Sequence, residues 1–211
     1  MIVLPEGFNL GQGYYDKRYG RGTEGASDVK IIADLKVISH KYGCAFVAGL
    51  IVADCPNVAP PHNSAYSIDR DSDTVLSRKH GVDSSANYTP YPQYSERPAV
   101  CRNVAVVALM CMDSYEGTDR FQALAEKMRE AHASIVCIPM HMSNGLGGGN
   151  PGHKLTCRYG LGEAVWIGAN SNVGCVNSFV ADCDGVIKEQ VCGGAVAKIE
   201  VVPLADLIAK S

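Results

Sequence analysis

"VAVVALMCMDSYEG", residues 104–117, is an apolar run that carries a cysteine between two methionines and then turns abruptly polar. Val104, Val106, Val107, Leu109 and Met110 are β-branched or otherwise apolar over a short span, the pattern of a strand buried on both faces. Asp113, Ser114, Glu116 and Gly117 end it. Cys111 thus stands at a strand's C-terminal end, where layered α/β proteins build their sites, and Met112 beside it offers a backbone N–H. Two readings are open at this point. Free cysteine is among the most buried residue types and fills cores, or the thiol is a nucleophile.

On the N-terminal side of this stretch, "IVLPE" reads as a strand fragment, and "ASDVKIIADLKVISHKYG" (26–43) places Val29, Ile32 and Leu35, with Ile31 and Ile38 beside them, at helical spacing. Ser27 or Asp28 would cap that helix and Gly43 would stop it. "CAFVAGLIV" (44–52) reads as a buried strand, "AYSID" and "TVLSRK" as strands around the polar turn "RDSD", and Ser84 to Pro98 as an irregular loop. On the C-terminal side, "TDRFQALAEKMREAH" (118–132) is an amphipathic helix with Phe121, Leu124 and Met128 on one face, followed by a strand in "SIVCIPM". "LTCRYGLGEA" reads as helical. "VWIGANS", "SFVADCD" and "AVAKIEV" read as strands, the last two joined by a turn region "GVIKEQVCGG", and "PLADLIAKS" as a tail helix. This order implies an α/β or α+β layered fold with helices covering one face of each sheet.

A chain of 211 residues can bury one sizeable core, so a single domain over residues 1–211 is expected. With a net charge of -3, the chain has no electrostatic footprint for nucleic acid. "MIVLPEGFNL" lacks the basic start of a signal peptide, and no apolar run approaches membrane-spanning length, so the expected location is the cytoplasm, with no membrane partner. Nine cysteines without an export signal argue for reduced thiols, with Cys137 inside an apolar strand as core. No C-x-x-C, H-x-x-x-H or other paired Cys/His spacing points to a metal. The Gly-rich pieces "GQGYYDKRYGRG" and "GLGGGNPGHK" do not fit a phosphate-binding loop and read as turns or as loops near a site.

Glu6 in "IVLPEGF" and Lys79 in "TVLSRKHG" also stand at strand ends. A thiol nucleophile requires a base and a cation or N–H group for the oxyanion, and these residue types supply both. Glu6 would take the thiol proton and return it to the leaving amine, while Lys79 and the N–H of Met112 would hold the tetrahedral oxygen.

In this order the sequence resembles the nitrilase, or carbon–nitrogen hydrolase, superfamily. "IVLPEGF" is similar to the family's general-base segment, "KYGCAFVAGL" to the helix-to-strand passage after it, "VLSRKHG" to the lysine segment and "VVALMCMD" to the nucleophile strand. "ASIVCIPMHM", "GANSNVG" and "NSFVADCDGVIKE" resemble later strands, so the likeness spans nearly the whole chain. The resemblance implies a four-layer αββα sandwich and hydrolysis of nonpeptide C–N bonds through a thioester, with no cofactor. It implies Glu6, Lys79 and Cys111 as catalytic residues. His141, Met142, Ser143 and Asn170, which follow or end predicted strands, are candidates for substrate contact.

The chain departs from the family pattern in three places. Asn87 stands eight residues after Lys79, where a second glutamate is usual; it can hydrogen-bond but cannot accept a proton. "MDSYEG" follows the cysteine where a proline and glutamate are common, and the chain starts at the glutamate strand where most members have an earlier strand and helix. The nitrilase branch of the family tends to carry Trp and Glu after its cysteine, whereas this chain has Met112 and Asp113, so the resemblance implies amide rather than nitrile chemistry, with a small amide or N-carbamoyl compound as the expected substrate. The alternatives are a noncatalytic, degenerate or truncated family member serving in assembly or ligand binding, and an amine-accepting acyl transferase or nitrile hydrolase of the same family. An open edge beside the Glu6 strand, coverable by Gly11 to Gly25, leads to the expectation of a homo-oligomer.

Overall fold

The computed structural model describes residues 1–8, 28–52, 62–80, 98–101, 103–110, 126, 127, 130, 132–140, 164–170, 178–181 and 187–191. Its strands form two sheets. The first runs β1 (Ile2–Leu4), β2 (Phe46–Val52), β3 (His62–Ile68), β4 (Asp73–Arg78), with β1 parallel to β2 and the other neighbours antiparallel. The second has the spatial order β10 (Ile187–Val191), β9 (Ser178–Ala181), β8 (Val165–Asn170), β7 (Ile135–Met140), β6 (Val104–Ala108), β5 (Ala99–Cys101). Its three central strands are parallel and its outer pairings antiparallel.

β2 explains how the layers stack. Alternate strand residues point to opposite faces. Phe46, Ala48 and Leu50 pack with Tyr66 and Ile68 and with Ile31, Ile32 and Leu35 of the helix α1 (Asp28–Tyr42). Val47, one residue out of step, packs with Ala65 and Leu76 and with Val106, Ala108, Met110, Ile135 and Cys137 of the second sheet. The strand is apolar on both sides because it has a helix on one face and a sheet on the other. The fold is therefore layered α/β: α1, then two sheets face to face. Glu126, Lys127 and Glu130 are helical within the segment read as the second amphipathic helix.

α1 spans the segment its periodicity predicts. Gly43 follows it at φ 64, the left-handed conformation that ends a helix cheaply only at glycine, and His40 and Lys41 complement the negative end of the dipole. Its buried stripe differs from expectation at one point. Ile38 is 40% exposed, whereas Ser39, one turn beyond Leu35, is fully buried. Ser39 Oγ donates to the Cys44 carbonyl at 2.5 Å and lies 3.0 Å from Asp69 Oδ1, so a hydrogen-bonded hydroxyl ties the helix to the sheet where an apolar contact was expected.

The strands around "RDSD" form the expected hairpin, closed by paired backbone bonds between Asp69 and Ser72. Three strand readings need correction. β3 begins at His62, not Ala65, and so takes in three polar residues, of which Asn63 and Ser64 are buried. β5 was not expected; it pairs antiparallel with β6 as a three-residue edge strand, ahead of Asn103 at φ 66. "IKEQV", read as part of a turn, is β10 and pairs with β9. The strand read in "AVAKIEV", residues 155–163 of the helix read in "LTCRYGLGEA", the helix read in "PLADLIAKS", both Gly-rich pieces and the loop before Pro98 lie outside the described residues. Among the described residues no helix is long and apolar enough to cross a membrane.

Candidate active site

The parallel pairing of β1 with β2, and the double reversal through β3 to β4, bring the C-terminal ends of β1 and β4 to one end of the first sheet. Glu6 and Lys79 follow those ends. They do not sit on adjacent strands, so one chain must cross the inner face of the sheet to reach the other.

Gly49 makes the crossing possible. A Cβ at that position would stand 2.7 Å from Glu6 Cα, 2.9 Å from the Pro5 carbonyl oxygen and 2.9 Å from Pro139 Cβ of the opposite sheet. The chain leaving β1 therefore lies directly on the β2 backbone, in the seam between the sheets, where a side chain would otherwise be. Gly7, at φ 66, then turns it away. The sequence "PEG" combines a residue to be delivered with the residue that permits the turn after it.

The delivered carboxylate is buried, as is the ammonium it meets: Glu6 is 1% and Lys79 3% exposed. Lys79 Nζ lies 2.6 Å from Glu6 Oε1. Asn63 Nδ2 donates to the same oxygen, and the Lys79 backbone N–H donates to the Asn63 carbonyl at 2.7 Å. Sequence reasoning paired Glu6 with Lys79 and missed Asn63. The signal available was a polar "HNS" ahead of an apolar alternation, which reads more readily as loop than as strand.

Taking both charges out of water costs several kcal/mol per ion, and a well-packed apolar pair of similar volume is often as stable or more so. An ion pair at converging strand ends is thus poorly explained by stability and is the kind of arrangement found at chemical sites. Chemically it offers a carboxylate oxygen facing two donors, and a cation that could meet a developing negative charge.

β6 enters the same region. Pro139, near the C-terminal end of β7, faces Gly49, and β6 runs parallel to β7, with the Leu109 N–H donating to the Cys137 carbonyl at 2.9 Å. Leu109 and Met110 are fully buried, as the apolar reading of this stretch requires. Met110 is the last described residue of this run, and Cys111 is next in sequence. Cys111, Met112, Asn87, His141, Met142 and Ser143 lie outside the described residues. Asn170 ends β8 at the same end of the sandwich, half-buried, with its backbone N–H donating to Ser178 Oγ at 3.0 Å. In the alternation of β8 it falls with Trp166 and Gly168.

The described cysteines, Cys44, Cys101 and Cys137, are free thiols. Cys137 is fully buried in the core between the sheets, as its apolar strand implies, and desolvation pushes its thiol far above the ordinary range.

No protein-family model matches the chain, and no curated protein matches it by sequence. Solved structures do match it. A carbon-nitrogen hydrolase from Helicobacter pylori G27 aligns over 91% of this chain and 73% of its own, with a TM-score of 0.67 and 15% identity. A mutant of the amidase from Nesterenkonia sp. AN1, showing Michael addition of acrylamide at its active-site cysteine, aligns over 91% and 76%, with a TM-score of 0.64 and 17% identity. Nit3 of Saccharomyces cerevisiae, a member of branch 10 of the nitrilase superfamily, aligns over 92% and 73%, with a TM-score of 0.62 and 17% identity. Two face-to-face sheets, with a carboxylate and a lysine meeting in their seam, are built on the fold of the nitrilase superfamily.

Proposed function

We propose that the protein is a cysteine-dependent hydrolase of nonpeptide C–N bonds, acting on a small amide or N-carbamoyl substrate. The observation that carries this reading is the buried Glu6–Lys79 pair at the strand ends, with β6 running toward the same end and Cys111 one residue beyond its buried Met110. The similar structures support it through their own descriptions as a carbon-nitrogen hydrolase and an amidase.

In the proposed reaction Glu6 accepts the Cys111 thiol proton as the sulfur attacks the carbonyl carbon. The C–S bond forms and the carbonyl electron pair moves onto oxygen, where Lys79 and the Met112 N–H stabilise it. The tetrahedral species collapses: the C–N bond breaks, and the nitrogen leaves with the proton Glu6 received. A water then gives its proton to Glu6 and attacks the thioester carbonyl. The C–S bond breaks, the acid departs and the sulfur recovers a proton from Glu6. Asn87, His141, Met142, Ser143 and Asn170 are the proposed substrate contacts.

Intact-mass analysis and peptide mapping after exposure to small amides, carbamoyl compounds and acrylamide test this. A covalent adduct on Cys111, lost in Cys111→Ala, is expected. An adduct confined to other cysteines, or hydrolysis that persists in Cys111→Ala, refutes the mechanism. We also propose a homo-oligomer, because β1 forms one edge of its sheet among the described residues. Sedimentation velocity across a dilution series tests that, and a compact monomer at all concentrations refutes it.

A further inference from the structure

Asn63 touches both halves of the Glu6–Lys79 pair through different groups. Its side-chain amide donates to Glu6 Oε1, and its main-chain carbonyl accepts the Lys79 N–H at 2.7 Å. It is 1% exposed and sits second in β3, paired with Ile51 of β2, the strand that separates Glu6 from β3. We propose that Asn63 is a positioning residue for the reaction: it fixes the orientation of the Glu6 carboxylate, and so decides which carboxylate oxygen exchanges the proton. This rests on the reading of Glu6 as general base.

Both Asn63 Nδ2 and Lys79 Nζ approach Oε1. A carboxylate oxygen has two in-plane acceptor sites, and two donors occupy both. A proton arriving at Glu6 therefore goes to Oε2, and the carboxylate plane is held by a neutral donor as well as by the cation. Lysine alone would not do this. An ammonium on a flexible four-carbon stem is a point charge with no directional fork, whereas an amide on a strand has one orientation that reaches its acceptor. The main-chain bond adds a second constraint, because it sets where Lys79 leaves β4 relative to that same amide. One residue thus coordinates the base through its side chain and the start of the lysine stem through its backbone.

Asn63→Asp keeps the shape but replaces the donor with a second carboxylate facing Oε1. Asn63→Ser removes the donor, its hydroxyl being too short to reach. Both disfavour ionised Glu6, by like charge in the first and by a lost hydrogen bond in the second. The readout is the pH dependence of the second-order rate of acrylamide addition at Cys111, followed by intact mass on the full chain, with thermal melts confirming that each variant is folded. If Glu6 accepts the thiol proton, this rate falls at acid pH as Glu6 protonates. The acid limb is expected to move up by about one pH unit or more in Asn63→Asp and by less in Asn63→Ser, on the scale of a lost charge-assisted hydrogen bond. Glu6→Gln is expected to remove the limb.

A limb unmoved in a folded Asn63 variant, while Glu6→Gln removes it, overturns the positioning role and leaves the base reading intact. A limb that survives in Glu6→Gln as in the wild type overturns the base reading and the Asn63 proposal with it. If Asn63→Asp does not fold, Asn63→Ser decides by the same criterion.

Discussion

Gly49→Ala adds one methyl group and should damage the site more than any other single-carbon change in the first sheet. The new Cβ would lie 2.7 Å from Glu6 Cα, about 0.7 Å inside the 3.4 Å at which ordinary contact begins, and 2.9 Å from both the Pro5 carbonyl oxygen and Pro139 Cβ. These atoms belong to the crossing chain and to the opposite sheet, so no flexible side-chain end can move aside. Either the Pro5–Glu6 backbone lifts or the sheets separate. Inserting a carbon into a packed seam costs about 1–3 kcal/mol. A displacement approaching 1 Å at a reacting group reduces turnover by about 10²-fold. Urea denaturation should show the lower midpoint with an unchanged slope, and the rate of acrylamide addition at Cys111, read by intact mass, should fall much further than the loss of folded protein explains. Wild-type stability together with a wild-type alkylation rate in Gly49→Ala would refute the account of how Glu6 reaches its place.

Lys79→Met leaves the Glu6 carboxylate buried without its cation and should lower stability by about 3–5 kcal/mol in urea melts, whereas Glu6→Gln combined with Lys79→Met should recover most of that loss. Cys137 should resist iodoacetamide at neutral pH until denaturant is added, because burial keeps its thiol protonated; mapping that finds it labelled in the native state counts against the inter-sheet core. Cys111→Ala should keep the melting profile and lose turnover. Ser39→Ala should lower stability by about 1 kcal/mol without altering the acrylamide reaction, since its bonds to Cys44 and Asp69 lie on the helix side of the sheet.

The strands most readily read from the sequence are those buried on both faces. "CAFVAGLIV", "VAVVA" and "SIVCIPM" announce themselves because a helix or a sheet covers each side. The strands missed are the ones with weak reasons to look like strands. β5 is three residues long, too short for alternation to register, and β10 mixes Ile187 and Val191 with Lys188, Glu189 and Gln190 and shifts register between Ile187 and Glu189, so no regular alternation marks it. β3 is instructive in another way. Its first three residues are polar, and Asn63 is inside because of Glu6, a residue 57 positions away whose approach no local pattern reports. Ser39 escapes the helical pattern for the same reason: its burial goes with its bonds to Asp69 and Cys44, not with its own hydropathy. The Glu6–Lys79 encounter was legible by assuming that strand ends converge and from the family resemblance, not from any local pattern. Gly49, which lets it happen, carries no chemical signal in the sequence at all.

The two apolar clusters differ in what they can tolerate. The cluster under α1, around Leu35, Leu50 and Tyr66, holds the helix to the first sheet, on the face away from the second. Its side chains can be exchanged for others of similar volume at a cost in stability alone. The cluster around Val47, Ala108 and Cys137 sets the gap between the sheets, and Glu6 is lodged in that gap, where Pro139 meets Gly49. Thickening or thinning this second cluster changes the spacing between the strand that carries Glu6 and the strand that leads to Cys111. The molecule therefore has one interior that can drift in sequence and another that acts as the gauge of its own chemistry.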